Sequence, residues 1–158
     1  IEKRRDLALY CKLQYFCFIR PGEIAQLRMR DFDLLNGFIH VPANVSKNRR
    51  GAHVVIPPNY LPELCALLSG LAPDDSIVQI KAEMARVLMR RILKEAGITG
   101  KSLYSWKHAG ATNAYLGGVG IKEIQQQARH AAVTTTDTYL RTLGARDNRG
   151  AFASFSMA

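Results

Sequence analysis

The sequence predicts an α+β fold that is mostly helical and carries a small antiparallel three-stranded β-sheet. Two observations support this class. Apolar residues recur at helical spacing over most of the chain, and only residues 38–56 have the short β-branched runs typical of strands. A length of 158 residues favours one domain, residues 1–158, with an adequate core.

The first part of the chain predicts two helices separated by a proline. Residues 4–18 have apolar positions at helical spacing, among them Leu7, Tyr10, Leu13 and Cys17. The sequence Arg20-Pro-Gly-Glu23 interrupts this pattern, and Pro21 suits the first turn of a new helix with Ile24 and Leu27 on its apolar face. Residues 28–33 are interpreted as a polar exit, that is, a polar segment that leaves this helix.

Three short runs then predict the sheet: Phe38–Val41, Asn44–Lys47 and Ala52–Ile56. Asn36-Gly37 precedes the first run, and a basic turn, Asn48-Arg-Arg-Gly51, separates the last two. Pro57-Pro58 ends the sheet. We therefore expect a strongly basic hairpin tip.

Helical periodicity returns after the sheet. The predicted helices cover residues 60–68, 81–95, 103–116, 121–128 and 135–143. The helix at 81–95 has a clear stripe formed by Met84, Val87, Leu88, Arg91 and Ile92. Ser102 is a candidate cap for the next helix. In the tail, residues 146–158, aromatic side chains such as Phe152 and Phe155 need a surface to pack on.

The charge balance is unusual for a protein of this size. Lys and Arg number 22 against 13 Asp and Glu, which gives a net charge of +9. This favours a polyanionic partner, with nucleic acid ahead of anionic membrane, although a generally basic soluble surface explains the composition equally well. No apolar run is long enough to span a bilayer, and no signal peptide is visible.

Other chemistry finds little support in the sequence. The three cysteines lack zinc spacing and are typical of free thiols in a cytosolic protein. There is no Walker loop, serine elbow or zinc-ligand pair, and the glycines at 117–120 lack the full dinucleotide fingerprint. We therefore expect neither a metal nor a cofactor.

The most informative segment is residues 127–140. His130 and Tyr139 lie nine residues apart, joined by a threonine-rich turn between two short apolar-periodic segments. This layout can hold an imidazole and a phenol near one phosphate. A phenol is a usable nucleophile only when a group takes its proton or stabilises its anion. The rest of the chain must therefore supply positive charge.

Four segments together carry a resemblance. They are Arg20 with Glu23 at a helix start, Lys47 beside a β-turn, Tyr104-Ser-Trp-Lys-His108 on a helix, and His130 with Tyr139. In this order and spacing they resemble the tyrosine recombinases, the integrases of phages and mobile elements. The resemblance covers nearly the whole chain but only the family's C-terminal catalytic domain. It implies that residues 1–158 come from a longer protein whose N-terminal DNA-binding domain is absent here.

The resemblance assigns roles residue by residue. The family's first arginine falls on Arg20, its hairpin lysine on Lys47, its late histidine on His130 and its nucleophile on Tyr139. The implied reaction is attack of Tyr139 on a DNA phosphodiester, which leaves a 3′-phosphotyrosyl link and a free 5′-hydroxyl. A second strand's 5′-hydroxyl then seals the exchange, without ATP or metal.

The middle segment departs from the family pattern. Most members place a histidine and an arginine three residues apart, followed by another histidine, whereas this chain has Tyr104, Lys107 and His108. Lysine keeps the positive charge but loses the bidentate fork of arginine. A tyrosine hydroxyl can bind a phosphate oxygen but is a poor base at pH 7. His130, or His108 if it turns inward, could share the role of base.

In the implied mechanism, Arg20 and Lys107 neutralise charge on the phosphoryl oxygens, Lys47 protonates the leaving 5′-oxygen and His130 hydrogen-bonds the phosphate. The additional DNA-backbone contacts expected from their charge are Arg49, Arg50 and Lys101.

The expected partner is double-stranded DNA, in a bacterial or phage protein of the cytoplasm associated with the nucleoid. The resemblance further implies a homo-oligomer on DNA, a tetramer in synapsis, with a monomer allowed in isolation, and a tail that docks on a neighbouring protomer.

Two alternatives stay open. Tyr104 and Lys107 are compatible with a catalytically impaired DNA-binding relative of the family, and a type I topoisomerase shares the same chemistry and fold. Taken singly, each candidate residue also has an ordinary structural explanation, such as a solvated surface charge or a packed aromatic ring.

Overall fold

A computed structural model of the chain describes residues 2–46, 49–130 and 136. The chain divides into two compact units, Ile1–Gly110 and Ala111–Ala158, and each is considered separately below. The first unit contains the sheet and most of the core.

Most of the regular secondary structure of the first unit is helical, as predicted. They are α1 (Glu2–Cys17), α2 (Pro21–Ile24), a 3₁₀ turn (Met29–Asp31), α3 (Leu61–Leu68), α4 (Ala82–Glu95) and the beginning of α5 (Ser105–Leu116). Pro21 occupies the first turn of α2, where a missing amide hydrogen costs nothing. No helix in the described ranges combines the length and the apolar character needed to cross a membrane.

The sheet is antiparallel and three-stranded, which confirms the predicted class, but one predicted strand is wrong. Its strands are β1 (Phe32–Asp33), β2 (Phe38–Val41) and β3 (Ala52–Val55), in that spatial order. The segment expected as a strand at Asn44–Lys47 instead begins with a turn, because the amides of Val45 and Ser46 both donate to the Pro42 carbonyl at 3.0 and 2.9 Å. Lys47 itself lies outside the described residues.

The first strand comes from the segment interpreted as a polar exit. Phe32 is buried and pairs with Ile39, which is also buried. Because a strand of two residues shows no alternation, periodicity could not reveal it, and pairing with the neighbouring strand is what stabilises it.

One face of the sheet packs on the core, and the other faces solvent. Ile39, Val41 and Val54 are buried, whereas Phe38 and Val55 are exposed. The two exposed residues pair directly across β2 and β3. This alternation is the one expected for a half-buried antiparallel sheet.

Helix α1 provides the centre of the core and also anchors the segment before α4. Leu9, Tyr10 and Leu13 are completely buried. The Tyr10 hydroxyl donates to the Ile80 carbonyl at 2.8 Å. The buried carboxylate of Asp6 accepts from two amides of the same segment, at 2.5 and 2.9 Å. The start of α4 is therefore tied to α1 by buried hydrogen bonds.

The predicted stripe on α4 coincides only in part with its buried face, since Leu88 is partly buried against the core but most of its other members are exposed. Met84, Val87 and Ile92 are 44%, 46% and 48% exposed, whereas Ala85 and Met89 are buried. Helix α4 contacts α1 and α2, and the small Ala85 allows a close approach. Sequence periodicity predicted the helix correctly but located its buried face only in part.

In the second unit, α5 continues to Leu116 and α6 covers Ile121–Ala128. Arg129 has a left-handed backbone (φ 56) and ends α6 by donating its amide to the carbonyls of Gln125 and Gln126. The predicted helix at 135–143 and the tail lie outside the described residues, apart from Thr136, which is helical.

Candidate functional site

The first unit contains a basic cavity of about 470 Å³. It lies between the start of α2, the turn after β2, one side of α4 and the segment before α5. Its cationic lining residues are Arg20, Arg86, Arg90 and Lys101. Tyr104 adds a phenol to the wall, and Glu23 is the one carboxylate in the lining. The cavity is therefore suited to an anion.

Arg20 is held in place by Glu23. Its backbone amide donates to Glu23 Oε2 at 2.9 Å, and its guanidinium Nη1 donates to Glu23 Oε1 at 3.1 Å. The Glu23 side chain is only 3% exposed and that of Arg20 is 19% exposed. Because a guanidinium has five N–H donors in a rigid fork, this ion pair leaves donors for an anion. The Arg-x-x-Glu spacing thus has a physical reason.

Tyr104, Lys107 and His108 form a cluster at the start of α5. Lys107 is fully buried, and its ammonium lies 6.0 Å from the centroid of the Tyr104 ring. The ring of His108 meets the Tyr104 ring edge-on with centroids 4.9 Å apart. Lys107 does not line the cavity itself but is adjacent to the tyrosine that does.

His108 is maintained as a neutral imidazole by this environment. Burial lowers its pKa below the ordinary value, and the positive charges of Lys107 and Lys101 lower the pKa further. A neutral imidazole can accept a proton, whereas an imidazolium cannot.

Only some of the basic residues predicted from the sequence line this cavity. Lys101 lines the cavity with Arg20, whereas Arg49 and Arg50 do not and are exposed just before β3. Lys47 is not described, although Val45, two residues earlier, lines the cavity. The turn that leads to Lys47 therefore borders the cavity.

Two arginines of the cavity wall were not predicted from the sequence. Arg86 and Arg90 lie one turn apart on α4, and both line the cavity. Arg86 also donates to Glu83 at 2.8 Å. The available signal was their four-residue spacing, which places two charges on one side of a helix, but the assumed apolar stripe obscured it.

His130 belongs to the second unit, where Thr136 contacts its ring. His130 Nδ1 lies 2.8 Å from Oγ1 of Thr136, which is fully buried. The backbone of His130 is held by Gln125, whose carbonyl accepts its amide at 3.1 Å. Tyr139 lies outside the described residues. That His130 and Tyr139 act at the same site as the basic cavity therefore stays a prediction.

The structure thus combines a mostly helical fold, a small antiparallel sheet and a cavity with a predominantly cationic lining. A family model described as the phage integrase family matches residues 2–146. The chain belongs to that family, which confirms the predicted resemblance to tyrosine recombinases.

Similar proteins match only with part of their length. The tyrosine recombinase XerC of Bifidobacterium longum (strain DJO10A) is 25% identical over 161 residues, which are 87% of this chain and 43% of XerC. The tyrosine recombinase XerA of Pyrococcus furiosus is 28% identical over 152 residues, 89% of this chain and 51% of XerA. The chain therefore spans about half the length of these curated relatives.

A solved structure supports the fold assignment. The XerH site-specific recombinase, in a post-cleavage complex with a palindromic difH substrate, matches with a TM-score of 0.67 and 21% identity. The match covers 96% of this chain and 46% of XerH. At this identity the likeness concerns the fold.

Proposed function

We propose that this chain is the catalytic domain of a site-specific DNA recombinase that cleaves and rejoins DNA through a 3′-phosphotyrosyl intermediate on Tyr139. The observation that carries the proposal is the basic cavity, in which Arg20 is fixed by Glu23 beside Lys101 and Tyr104. Family membership and the match to XerH, a recombinase bound to its substrate, support it.

The charge of the cavity suits the electrostatics of phosphoryl transfer. Four cationic side chains face one carboxylate, and that carboxylate is already paired with Arg20. Negative charge on a phosphodiester increases as a nucleophile adds to phosphorus. Preorganised cations in a partly enclosed site stabilise that added charge more than they stabilise the substrate.

In the proposed reaction, the Tyr139 oxygen bonds to phosphorus as the bond from phosphorus to the 5′-oxygen breaks. The phenolic proton passes to a base, and Lys47 protonates the leaving 5′-oxygen. Arg20 neutralises charge on the phosphoryl oxygens by direct contact, and Tyr104 donates a hydrogen bond to one of them. Lys107 adds positive charge from its buried position beside Tyr104. Attack by a 5′-hydroxyl reverses these steps and releases Tyr139.

The departure from the family pattern at Tyr104 and Lys107 reassigns the base. Tyr104 takes the place of a histidine, and His108 is the neutral imidazole adjacent to it. We propose that His108 or His130 accepts the phenolic proton. His130 would in addition bind the phosphate, with its ring positioned by Thr136.

DNA is the proposed partner, bound as a duplex, with oligomerisation on it. The net charge of +9 and the exposed Arg49 and Arg50 beside the hairpin supply backbone contacts outside the cavity. Binding should weaken steeply with salt because each neutralised phosphate releases counterions.

A covalent-trapping experiment tests the proposal. The chain is incubated with nicked suicide duplexes that carry its cognate recombination site, and adducts are detected after denaturation. We expect an adduct with wild type and with Tyr115→Phe, a matched change at another tyrosine, but none with Tyr139→Phe. An adduct of equal yield with Tyr139→Phe would refute the nucleophile.

The same assay distinguishes the alternative that Tyr104 and Lys107 favour, a DNA-binding relative without cleavage activity. That protein would bind the duplex without forming an adduct, and Lys107→Arg combined with Tyr104→His would restore one.

A further inference from the structure

Two histidines face each other on the solvent side of the sheet, away from the basic cavity. His40 on β2 pairs directly with His53 on β3, and both are exposed. Their ring centroids are 4.9 Å apart with an interplanar angle of 47°. Neither residue lines the cavity, and the proposed recombination chemistry does not use them.

The hydrogen-bonding pattern of the sheet explains why the two rings are close. The Ile56 amide donates to the Gly37 carbonyl at 2.8 Å, so the Gly37 and Ile56 pair is hydrogen-bonded. Hydrogen-bonded and non-hydrogen-bonded residue pairs alternate along an antiparallel pair of strands. The His40 and His53 pair, three positions along the same register, is therefore a non-hydrogen-bonded pair, the type that brings facing side chains closest.

A small residue lies beside the pair. Gly51 is the diagonal neighbour of His40 on the same face, and a Cβ there would lie 3.5 Å from His40 Cε1, an ordinary van der Waals contact. The His40 ring is therefore bordered at this position by backbone rather than by a bulky side chain.

We propose that His40 and His53 form a two-imidazole site for a transition-metal cation of the Zn²⁺, Ni²⁺ or Cu²⁺ type. Such ions bind imidazole nitrogen at about 2.0–2.1 Å, so two imidazoles on one ion at angles of about 90–110° have ring centres roughly 4.5–5.2 Å apart. The observed 4.9 Å falls in that range without backbone movement. The proposal does not depend on the recombinase function.

The donor set defines the character of the site. Among the described residues, no cluster of three or more His, Cys, Asp or Glu side chains is placed to hold a metal. Water therefore completes the coordination, and binding is weaker than in a closed structural zinc site. Imidazole ligands favour Cu²⁺ over Ni²⁺ and Zn²⁺ and do not select Mg²⁺.

Metal binding would join two neighbouring strands at the base of the hairpin that leads to Lys47. The unfolded chain does not hold the two imidazoles together, so the metal binds the folded state preferentially and stabilises it by mass action. The melting temperature should rise with the concentration of Zn²⁺ or Ni²⁺ and not with that of Mg²⁺.

The test uses the 158-residue chain prepared without a polyhistidine tag. Titration calorimetry with Zn²⁺ and Ni²⁺ measures affinity in wild type, His40→Gln, His53→Gln and the double variant. We expect each single change to weaken binding by at least about tenfold, because the second imidazole binds intramolecularly at high effective concentration. Cys65→Ser, which removes a partly exposed thiol, is the control and should bind like wild type.

A second measurement needs no variant. Substoichiometric Cu²⁺ is paramagnetic and should broaden the NMR signals of β2 and β3 around the two histidines before any others. Broadening centred elsewhere, absence of binding in wild type, or unchanged affinity in either single histidine variant would each overturn the proposal.

Discussion

Gly110 lies where α5 crosses the last turn of α1. Its replacement by alanine should destabilise the protein, although alanine normally stabilises a helix interior relative to glycine. A Cβ at this position would lie 2.7 Å from the Tyr15 carbonyl carbon and would overlap the carbonyl oxygen. Both neighbouring atoms belong to backbone, so no side chain can rotate away. The rings of Tyr15 and Trp106, 6.4 Å apart, pack at the same crossing.

The size of the effect follows from the geometry. Restoring ordinary contact with the carbonyl oxygen, which is the nearest atom, requires the helices to separate by at least about 1 Å, and overpacking of this kind costs roughly 1–3 kcal/mol. Alanine in a helix interior recovers about 0.5–1 kcal/mol relative to glycine. The net expectation for Gly110→Ala is a loss of about 1–2 kcal/mol in the free energy of unfolding. For a domain of this size the melting temperature should fall by roughly 2–8 °C.

Urea unfolding followed by circular dichroism measures this difference, with Gly22→Ala as the matched control. A Cβ at Gly22 meets nothing within 4 Å, so that variant should be neutral or slightly more stable. Gly110→Ala with a stability equal to or above wild type would show that α1 and α5 do not approach as described.

Three further changes probe the site and its supports. Glu23→Gln removes a charge-assisted bond to Arg20 of about 1.5–3 kcal/mol, so adduct formation should slow roughly 10–100-fold. Its DNA affinity in a gel-shift titration should be unchanged or stronger, because one negative charge is lost. Burial lowers the pKa of His108, so folded protein resists its protonation more than unfolded protein does. This contribution to stability is fully present above the unfolded pKa and is lost as pH falls below it, so urea midpoints should decrease from pH 7 towards pH 5, and less steeply in His108→Gln. Asp6→Ala leaves two amides before α4 without their buried acceptor and should cost about 1–3 kcal/mol in urea unfolding.

Each of these changes has a contrary outcome and a control. Equal losses of DNA binding and adduct formation in Glu23→Gln would indicate misfolding rather than a misplaced Arg20. A pH dependence identical in wild type and His108→Gln would place that imidazole in solvent. Glu95→Ala, which removes an exposed ion pair with Arg91, is the control for Asp6→Ala, and equal effects would show that the buried hydrogen bonds contribute no more than that exposed pair.

Helices were predicted well because their signal is local. The bounds of α1, α3, α5 and α6 differ from the predicted ones by two residues or fewer at each end. Apolar periodicity and proline or glycine boundaries are properties of consecutive residues, and they do not depend on what the helix later packs against.

The sheet was predicted less well because the pairing of its strands depends on tertiary contacts and not only on the local sequence. The run at Asn44–Lys47 has β-branched character but begins as a turn, and the two-residue strand at Phe32 has no readable pattern. Pairing with β2 selects Phe32 because its side chain reaches the core, where burial stabilises it.

By itself, the sequence determined the mostly helical class, the basic character of the chain and the ordered set of residues that marks the family. Those features lie in composition and linear spacing. Only the tertiary structure decided that Arg86 and Arg90 face the same cavity as Arg20, and that His40 lies opposite His53. The physical reason is that helix orientation and strand register are set by packing between distant segments. Local residue patterns do not specify which distant segment an element packs against.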